Sequence, residues 1–308
     1  MLVVRDTEPA DLPALSELYQ EGFGHPLSVA EWEWKYRRLP GEARSMVALL
    51  GSELLAHAGA YALPARWQGG EAPAWQLADF VGRPRGLRPP LVVAGRRLLA
   101  DLPRPHDLPW IFGFPSRRHL ELGERVFGYR WLPPIVPWEG ALPADAGNSA
   151  DVESDDRAGA WAEEVWEACG VAGVRRSAAF LDWRYYSRPE RYYRVYRLRA
   201  GGVDGLAVAA FVGVVAALAE LWLPAGPDWT PSLLAVAADL RQAGLERWRA
   251  WPQPPRGGDA GTVLLQRLSM QPLAEEVPCG CRGRSGAADD LGDLPRSLYY
   301  AMGDHDMV

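Results

Sequence analysis

One short string, present twice, limits what this chain of 308 residues can fold into. Trp34-Lys35-Tyr36 runs on to Pro40, and Trp183-Arg184-Tyr185 runs on to Pro189. Both copies read Trp, basic, Tyr, three residues, Pro, and the tryptophans lie 149 positions apart. Solenoid repeats recur every ~20–50 residues, so a period near half the chain length points instead to two copies of one domain. With 14 Trp, 11 Tyr and many arginines, such a string can also recur by accident. The surroundings of each copy decide between the two.

Those surroundings repeat in outline. Residues 2–5 form an apolar strand, and Thr7 with Pro9 opens a helix on which Leu12, Leu15, Leu18 and Tyr19 recur at helical spacing. Ser28-Val29-Ala30-Glu31 has the form of a capping box for a second helix, which carries Trp32, Trp34 and Tyr36 and stops before Pro40. Strands are predicted over 46–50, 54–62 and 75–81, a helix over 91–102, a strand over 109–114, a helix over 117–127 and an extended segment over 129–138. The polar stretch 141–156 reads as a linker. After it come a helix near 160–168, the second Trp-Arg-Tyr copy, strands over 192–198, 206–212 and 214–223, a helix over 231–243, a strand over 247–251, a helix over 262–268 and a strand over 298–302. This order predicts two mixed α/β domains, at 1–142 and 157–308, joined by a linker at 143–156.

Composition removes several function classes. With 48% hydrophobic and 23% charged residues, the chain has the make-up of a globular protein. A net charge of −6 leaves no footprint for nucleic acid. The longest apolar run, 206–223, contains Gly213 and Glu220 and falls short of the ~20 residues that span a bilayer. The start Met1-Leu2-Val3-Val4-Arg5-Asp6 has no signal-peptide pattern, so a soluble cytoplasmic protein without a membrane partner is expected. Cys279-Gly280-Cys281 is too short for an ordinary zinc pair, and Cys169 is the only other thiol. These read as loop cysteines, with no metal. Lys35 is the only lysine among 33 basic residues, which leaves many arginines able to hold phosphates bidentately.

The segment most like a ligand site is Gly82-Arg83-Pro84-Arg85-Gly86-Leu87-Arg88-Pro89, which leaves a strand and enters a helix. Unpaired N–H groups at a helix start, together with arginine, can hold a pyrophosphate. The other reading is a solvated basic turn, and Pro89 and Pro90 remove two donors from the helix start.

Taken in order, these elements resemble the Gcn5-related N-acetyltransferase (GNAT) superfamily, in its tandem two-domain bacterial form. The opening Arg5-Asp6-Thr7-Glu8-Pro9-Ala10-Asp11-Leu12 and Glu31-Trp32-Glu33-Trp34-Lys35-Tyr36 are similar to the family's start. Phe112-Gly113-Phe114-Pro115 and Phe127-Gly128-Tyr129 are similar to its acyl-CoA-side strand and closing "GF" element. The ending Tyr299-Tyr300-Ala301-Met302-Gly303-Asp304-His305-Asp306 resembles that of tandem members. The implied fold is two tandem domains of the α/β (α+β) class, each a mixed, mainly antiparallel central sheet flanked by helices.

The activity implied by the resemblance is transfer of an acetyl or other acyl group from CoA to the amine of a small molecule or amino sugar, by a monomer or homodimer. The family's phosphate loop is Arg/Gln-x-x-Gly-x-Gly/Ala. Its nearest match here is Arg83-Pro84-Arg85-Gly86-Leu87-Arg88, with arginine at the last small position. Acetyl-CoA as co-substrate would then meet Phe80, Val81, Arg83, Arg85, Gly86, Leu87 and Arg88. The matching turn of the second half, Pro224-Ala225-Gly226-Pro227-Asp228-Trp229, has no basic residue, so the first half is the expected CoA-binding half. The family's strand N–H for the thioester oxygen maps to 79–81. Asp79 is the base candidate there, although a carboxylate so placed also pairs readily with Arg83 or Arg85. The position of the family's general-acid tyrosine holds Glu124, and Tyr129 stands where phenylalanine is usual. Glu31, Trp32 and His57 are candidates for the acceptor side; Glu31 equally completes the capping box, and His57 equally serves as a satisfied strand histidine. The repeated Trp and Tyr residues read as core anchors. The same fold without catalysis, used for binding or regulation, is the rival reading.

Overall fold

The computed structural model describes residues 1–67, 70–83, 89–102, 110–143, 152–155, 157–252, 260–283, 298–299 and 302. In the first part of the chain, β1 (Leu2–Asp6) leads into α1 (Leu12–Phe23), α2 (Val29–Tyr36), β2 (Glu42–Leu50), β3 (Glu53–Trp67) and β4 (Gly70–Gly82). Then follow α3 (Pro89–Asp101), β5 (Trp110–Gly113), α4 (Arg117–Leu122), a wider π-type turn at Gly123–Phe127, and β6 (Arg130–Ile135). The chain continues through β7 (Trp138–Ala141), β8 (Val152–Asp155), α5 (Trp161–Cys169), β9 (Ala172–Val174) and α6 (Ala178–Leu181), which passes into a π-type turn at Asp182–Tyr186. The remainder is β10 (Tyr193–Ala200), β11 (Val203–Val212), β12 (Val215–Trp222), α7 (Thr230–Gln242), β13 (Arg247–Ala250), α8 (Ala260–Arg267), β14 (Gln271–Pro272), β15 (Val277–Gly283) and β16 (Leu298–Tyr299).

Two sheets result, one running β1-β2-β3-β4-β5-β15-β6 and the other β14-β7-β13-β12-β11-β10-β8. Along each of these paths the described pairings are antiparallel apart from one parallel step, β4 with β5 and β12 with β13. The expected mixed, mainly antiparallel sheets are therefore present in both halves. The division of the chain differs from a cut at 142. One unit gathers Met1–Ala65, Gly70–Leu132 and Pro278–Gly292; the other gathers Arg66–Gly69, Pro133–Val277 and Asp293–Val308. Strands are exchanged along the two paths: β7 lies between β13 and β14, and β15 between β5 and β6. Pro133, Pro134 and Pro137 lie along the segment that makes the first crossing, where their fixed φ suits extended chain. Of the expected linker, 152–155 is a strand paired with β10, and 144–150 lies outside the described residues.

Cys279 and Cys281, expected in a loop, are fully buried on β15. Burial pushes the Cys281 thiol up to about 11. A Cβ on Gly280 between them would sit 2.7 Å from Leu120 Cδ1, so Leu120 packs directly over this glycine. Thr7 does not cap the first helix. Its hydroxyl accepts a bond from Ser45 inside the core, and the turn before α1 is closed by Glu8 and Asp11.

Strand alternation sorts the first unit's core onto two faces. Met46, Ala48, Ala56, Ala58, Ala60 and Trp75 pack with Ala94 and Leu98 of α3. The opposite face, with Val47, Leu54 and Val81, packs with Leu15, Tyr19, Trp32 and Tyr36 of α1 and α2. In the second unit Leu218, Leu221 and Trp248 close on Leu233, Val236 and Leu240 of α7.

Candidate functional site

The repeated string is explained where α2 meets the first sheet. Ser28 Oγ accepts the Glu31 N–H at 3.1 Å and starts α2. That helix carries Trp34, Lys35 and Tyr36 inward together. Lys35 Nζ donates to both oxygens of Asp79, each at 3.1 Å, and the Tyr36 hydroxyl donates to Asp79 Oδ2. The Lys35 and Asp79 side chains are only 3% and 7% exposed. Charges so buried persist because they are paired and hydrogen-bonded together. Tyr36 reaches Asp79 by crossing β3 at Gly59, where any Cβ would overlap its hydroxyl. Asp79 thus pairs with the helix, while Arg83 bonds Glu21 and the Leu54 carbonyl.

The second copy is built to the same plan. Ser177, 149 positions after Ser28, caps α6 by accepting the Phe180 N–H at 3.2 Å. The Tyr185 hydroxyl donates to Glu220 Oε1 at 2.7 Å. Arg176 Nε donates to the same oxygen at 3.1 Å, and Trp222 Nε1 donates to Glu220 Oε2 at 2.8 Å. Arg184, the counterpart of Lys35, is buried beside them. Burial, with Glu220 adjoining, holds the Tyr185 hydroxyl well above its ordinary range, so it remains a donor. In both halves, then, the tyrosine of the string bonds a carboxylate buried in the fourth core strand. The sequence carried that signal in Asp79 and Glu220, the one carboxylate in each of the strands predicted at 75–81 and 214–223.

A β-bulge makes the second arrangement fit. Val208 faces Glu220 while Ala209 faces Leu218, so Ala219 is the extra residue of β12. It shifts the alternation by one, sending Leu218 and Leu221 to the α7 core and Glu220 to Arg176 and Tyr185.

His57 is fully buried on β3 next to this cluster. Ser45 Oγ lies 2.9 Å from its Nε2 and the Tyr19 hydroxyl 3.3 Å from its Nδ1. Ser45 donates to Thr7 Oγ1 at 2.8 Å and accepts from Trp32 Nε1 at 3.1 Å. Both ring nitrogens thus meet hydroxyls, which can donate or accept as the tautomer of the ring requires. Burial lowers the His57 pKa to about 4, with Asp79 opposing and Lys35 adding to the shift. The ring is neutral at pH 7.

The other sequence candidates scatter. Glu31 is half-buried at the α2 cap. Glu124 is exposed and accepts from Trp131 Nε1 at 3.0 Å. Tyr129 packs on Gly123, whose Cβ would lie 2.7 Å from the ring. Phe80 meets His119 edge-on at 6.3 Å, and Val81 is buried against α1. Arg83 bonds Leu54 O at 3.0 Å and Glu21 at 2.5 Å. Arg85, Gly86, Leu87 and Arg88 lie outside the described residues.

What faces an open edge is backbone. The described pairing of β4 with β5 covers Trp75↔Ile111 and Gln76↔Phe112, yet β4 runs on to Gly82. β4 therefore continues as a prong beyond its described pairing with β5, and Asp79 lies on that prong. In the second sheet β12 pairs with β13 from Val215 to Ala217 and continues to Trp222. Among the described residues no cluster of His, Cys, Asp and Glu could hold a metal, and no helix is long and apolar enough to cross a membrane.

No protein-family model and no curated protein sequence matches the chain. Solved structures do. A GCN5-related N-acetyltransferase from Kribbella flavida is similar at 16% identity and a TM-score of 0.63, over 92% of this chain and 71% of that one. A conserved protein of unknown function from Enterococcus faecalis is similar at 13% and 0.66, over 92% and 73%. At such identities the likeness is one of fold, and the fold is that of the GNAT superfamily. Its arrangement is the tandem one: a tandem GNAT protein of the clavulanic acid biosynthesis pathway is similar at 12% identity and a TM-score of 0.63, over 94% of this chain and all of that one.

Proposed function

We propose that the protein is an acyl-CoA-dependent N-acyltransferase, moving an acetyl or other acyl group from CoA to the amine of a small molecule or amino sugar. The observation that carries this reading is the prong of β4, which continues past its described pairing with β5 to Gly82, directly before the arginine-rich segment 83–88 of the sequence. A strand edge without a neighbour offers N–H groups to the oxygen of a thioester, and preorganised donors of that kind stabilise the charge that develops there. The amine nitrogen forms its bond to the carbonyl carbon, the C–S bond breaks, and the CoA thiolate leaves and takes a proton.

In this reading Asp79 is a positioning residue. Its carboxylate already accepts from Lys35 and Tyr36, so it ties the prong of β4 to α2 and keeps the donor edge in place. The diphosphate of CoA would fall to the segment containing Arg85 and Arg88, since Arg83 is engaged with Glu21 and Leu54. A second reading, the same fold used for binding without catalysis, is favoured by one fact: Glu124, at the position of the family's acid, bonds Trp131.

Calorimetry with acetyl-CoA separates the two. Binding in the micromolar range, weakened at least tenfold in an Arg85→Ala/Arg88→Ala double variant, supports the enzyme and its phosphate site. Absence of heat at high micromolar acetyl-CoA refutes the enzyme reading, and unchanged affinity in the double variant refutes the placement.

A further inference from the structure

The second unit contains a cavity of about 380 Å³ beside the prong of β12. Small-molecule sites begin at about 300 Å³, so the space is sufficient for a compact organic ligand. Its walls come from four elements: Trp166 of α5, Trp222 of β12, Trp229 before α7, and Val263 and Leu264 of α8. Trp166 and Trp222 meet edge-on at 5.5 Å, and all three tryptophans are buried. Two of the indole N–H groups are turned to the protein, Trp222 to Glu220 and Trp229 to the Pro224 carbonyl at 3.0 Å. Those two rings therefore offer carbon surfaces to the cavity.

The mouth is a strand-to-helix turn, the kind of place where an anion commonly binds. Here that position has its own anion. Asp228 Oδ1 accepts the Thr230 N–H at 3.1 Å and the Thr230 hydroxyl at 2.7 Å, at the very start of α7. Pro224 and Pro227 bring no N–H to the turn. Among the described residues at the rim the one cation is Arg267, which lies 3.6 Å from Asp228 and balances it. A diphosphate entering here would meet a carboxylate where it needs donors. An uncharged apolar molecule would meet indole and leucine.

We propose that this cavity binds a small, uncharged, apolar or aromatic molecule, and that it does not bind a nucleotide. The inference concerns the second unit only and stands or falls apart from CoA binding by the first.

The test uses the full chain and the neutral probe N-phenyl-1-naphthylamine, followed by energy transfer from tryptophan. Saturable binding at one site per chain, unaffected by millimolar CoA, is the expected result. Val263→Trp fills the cavity from an exposed position of α8 and should weaken the probe at least tenfold with an unchanged circular dichroism spectrum. If that variant does not fold, Ala225→Trp, on the exposed turn, does the same from the other side. Absence of saturable binding, retention of affinity in the folded filled variant, or competitive displacement by CoA would each overturn the proposal. Because acetyl-CoA calorimetry probes the first unit, a failure of one experiment leaves the other readable.

Discussion

Replacing Lys35 with methionine tests the account of the repeated string most directly. Lys35 Nζ is 3.1 Å from both oxygens of a carboxylate that is itself 7% exposed. At an effective dielectric near 20, two unit charges at that separation attract by about 5 kcal/mol. Desolvation offsets much of this while the pair is whole, but methionine leaves the Asp79 charge buried with no cation beside it and the Tyr36 hydroxyl still donating to it. Removing one member of a buried pair costs about 3–5 kcal/mol, a large share of the ~5–15 kcal/mol that holds a domain folded. Urea unfolding, read by circular dichroism and tryptophan fluorescence, should show one early transition shifted by that amount. Asp79→Asn should cost a comparable amount, since it strands the lysine. The double variant Lys35→Met/Asp79→Asn should be better than the sum of the two by about 2 kcal/mol or more, because neither charge is then left alone. A loss under about 1 kcal/mol for Lys35→Met, or additivity within about 0.5 kcal/mol, would refute the argument that the string exists to neutralise a buried carboxylate.

Two other outcomes follow from the same neighbourhood. The His57 pKa is about 4 in the fold against 6.5 in the open chain, so below pH 6.5 the unfolded state takes up a proton that the folded state refuses. Stability from this group is full above pH 6.5 and is lost as pH falls toward 4, by about 2 kcal/mol at pH 5. Urea midpoints at pH 7 and 5 check this, and a His57→Gln protein that keeps the same pH slope would sink it. Gly59→Ala places a Cβ on the Tyr36 hydroxyl and should destabilise by about 1–3 kcal/mol; a Gly59→Ala protein as stable as the parent would show that Tyr36 does not cross the strand there.

How far the sequence was legible can be seen at particular residues. Helix and strand order could be read from local periodicity, because the period of 3.6 on α1 and the alternation along β2 and β3 are imposed within a few residues. The strand exchange could not. Val277–Gly283 has two glycines, a proline and no alternation, and its place is given by β5, more than 160 residues away. Asp79 stood out as a lone carboxylate, but its partners did not, since Lys35 is 44 positions distant and looked like one element of a core string.

By itself, the sequence determined that the chain is a duplicated α/β protein and which residues of each half correspond, because repeats and periodicity are properties of the linear order. The tertiary structure decided what the repeat is for. Only packing shows that Tyr36 passes over Gly59 to reach Asp79, that the bulge at Ala219 turns Glu220 toward Tyr185, and that Asp228 occupies the helix start beside an apolar cavity. These are contacts between strands and helices far apart in the chain, and no local rule specifies which charge will meet which.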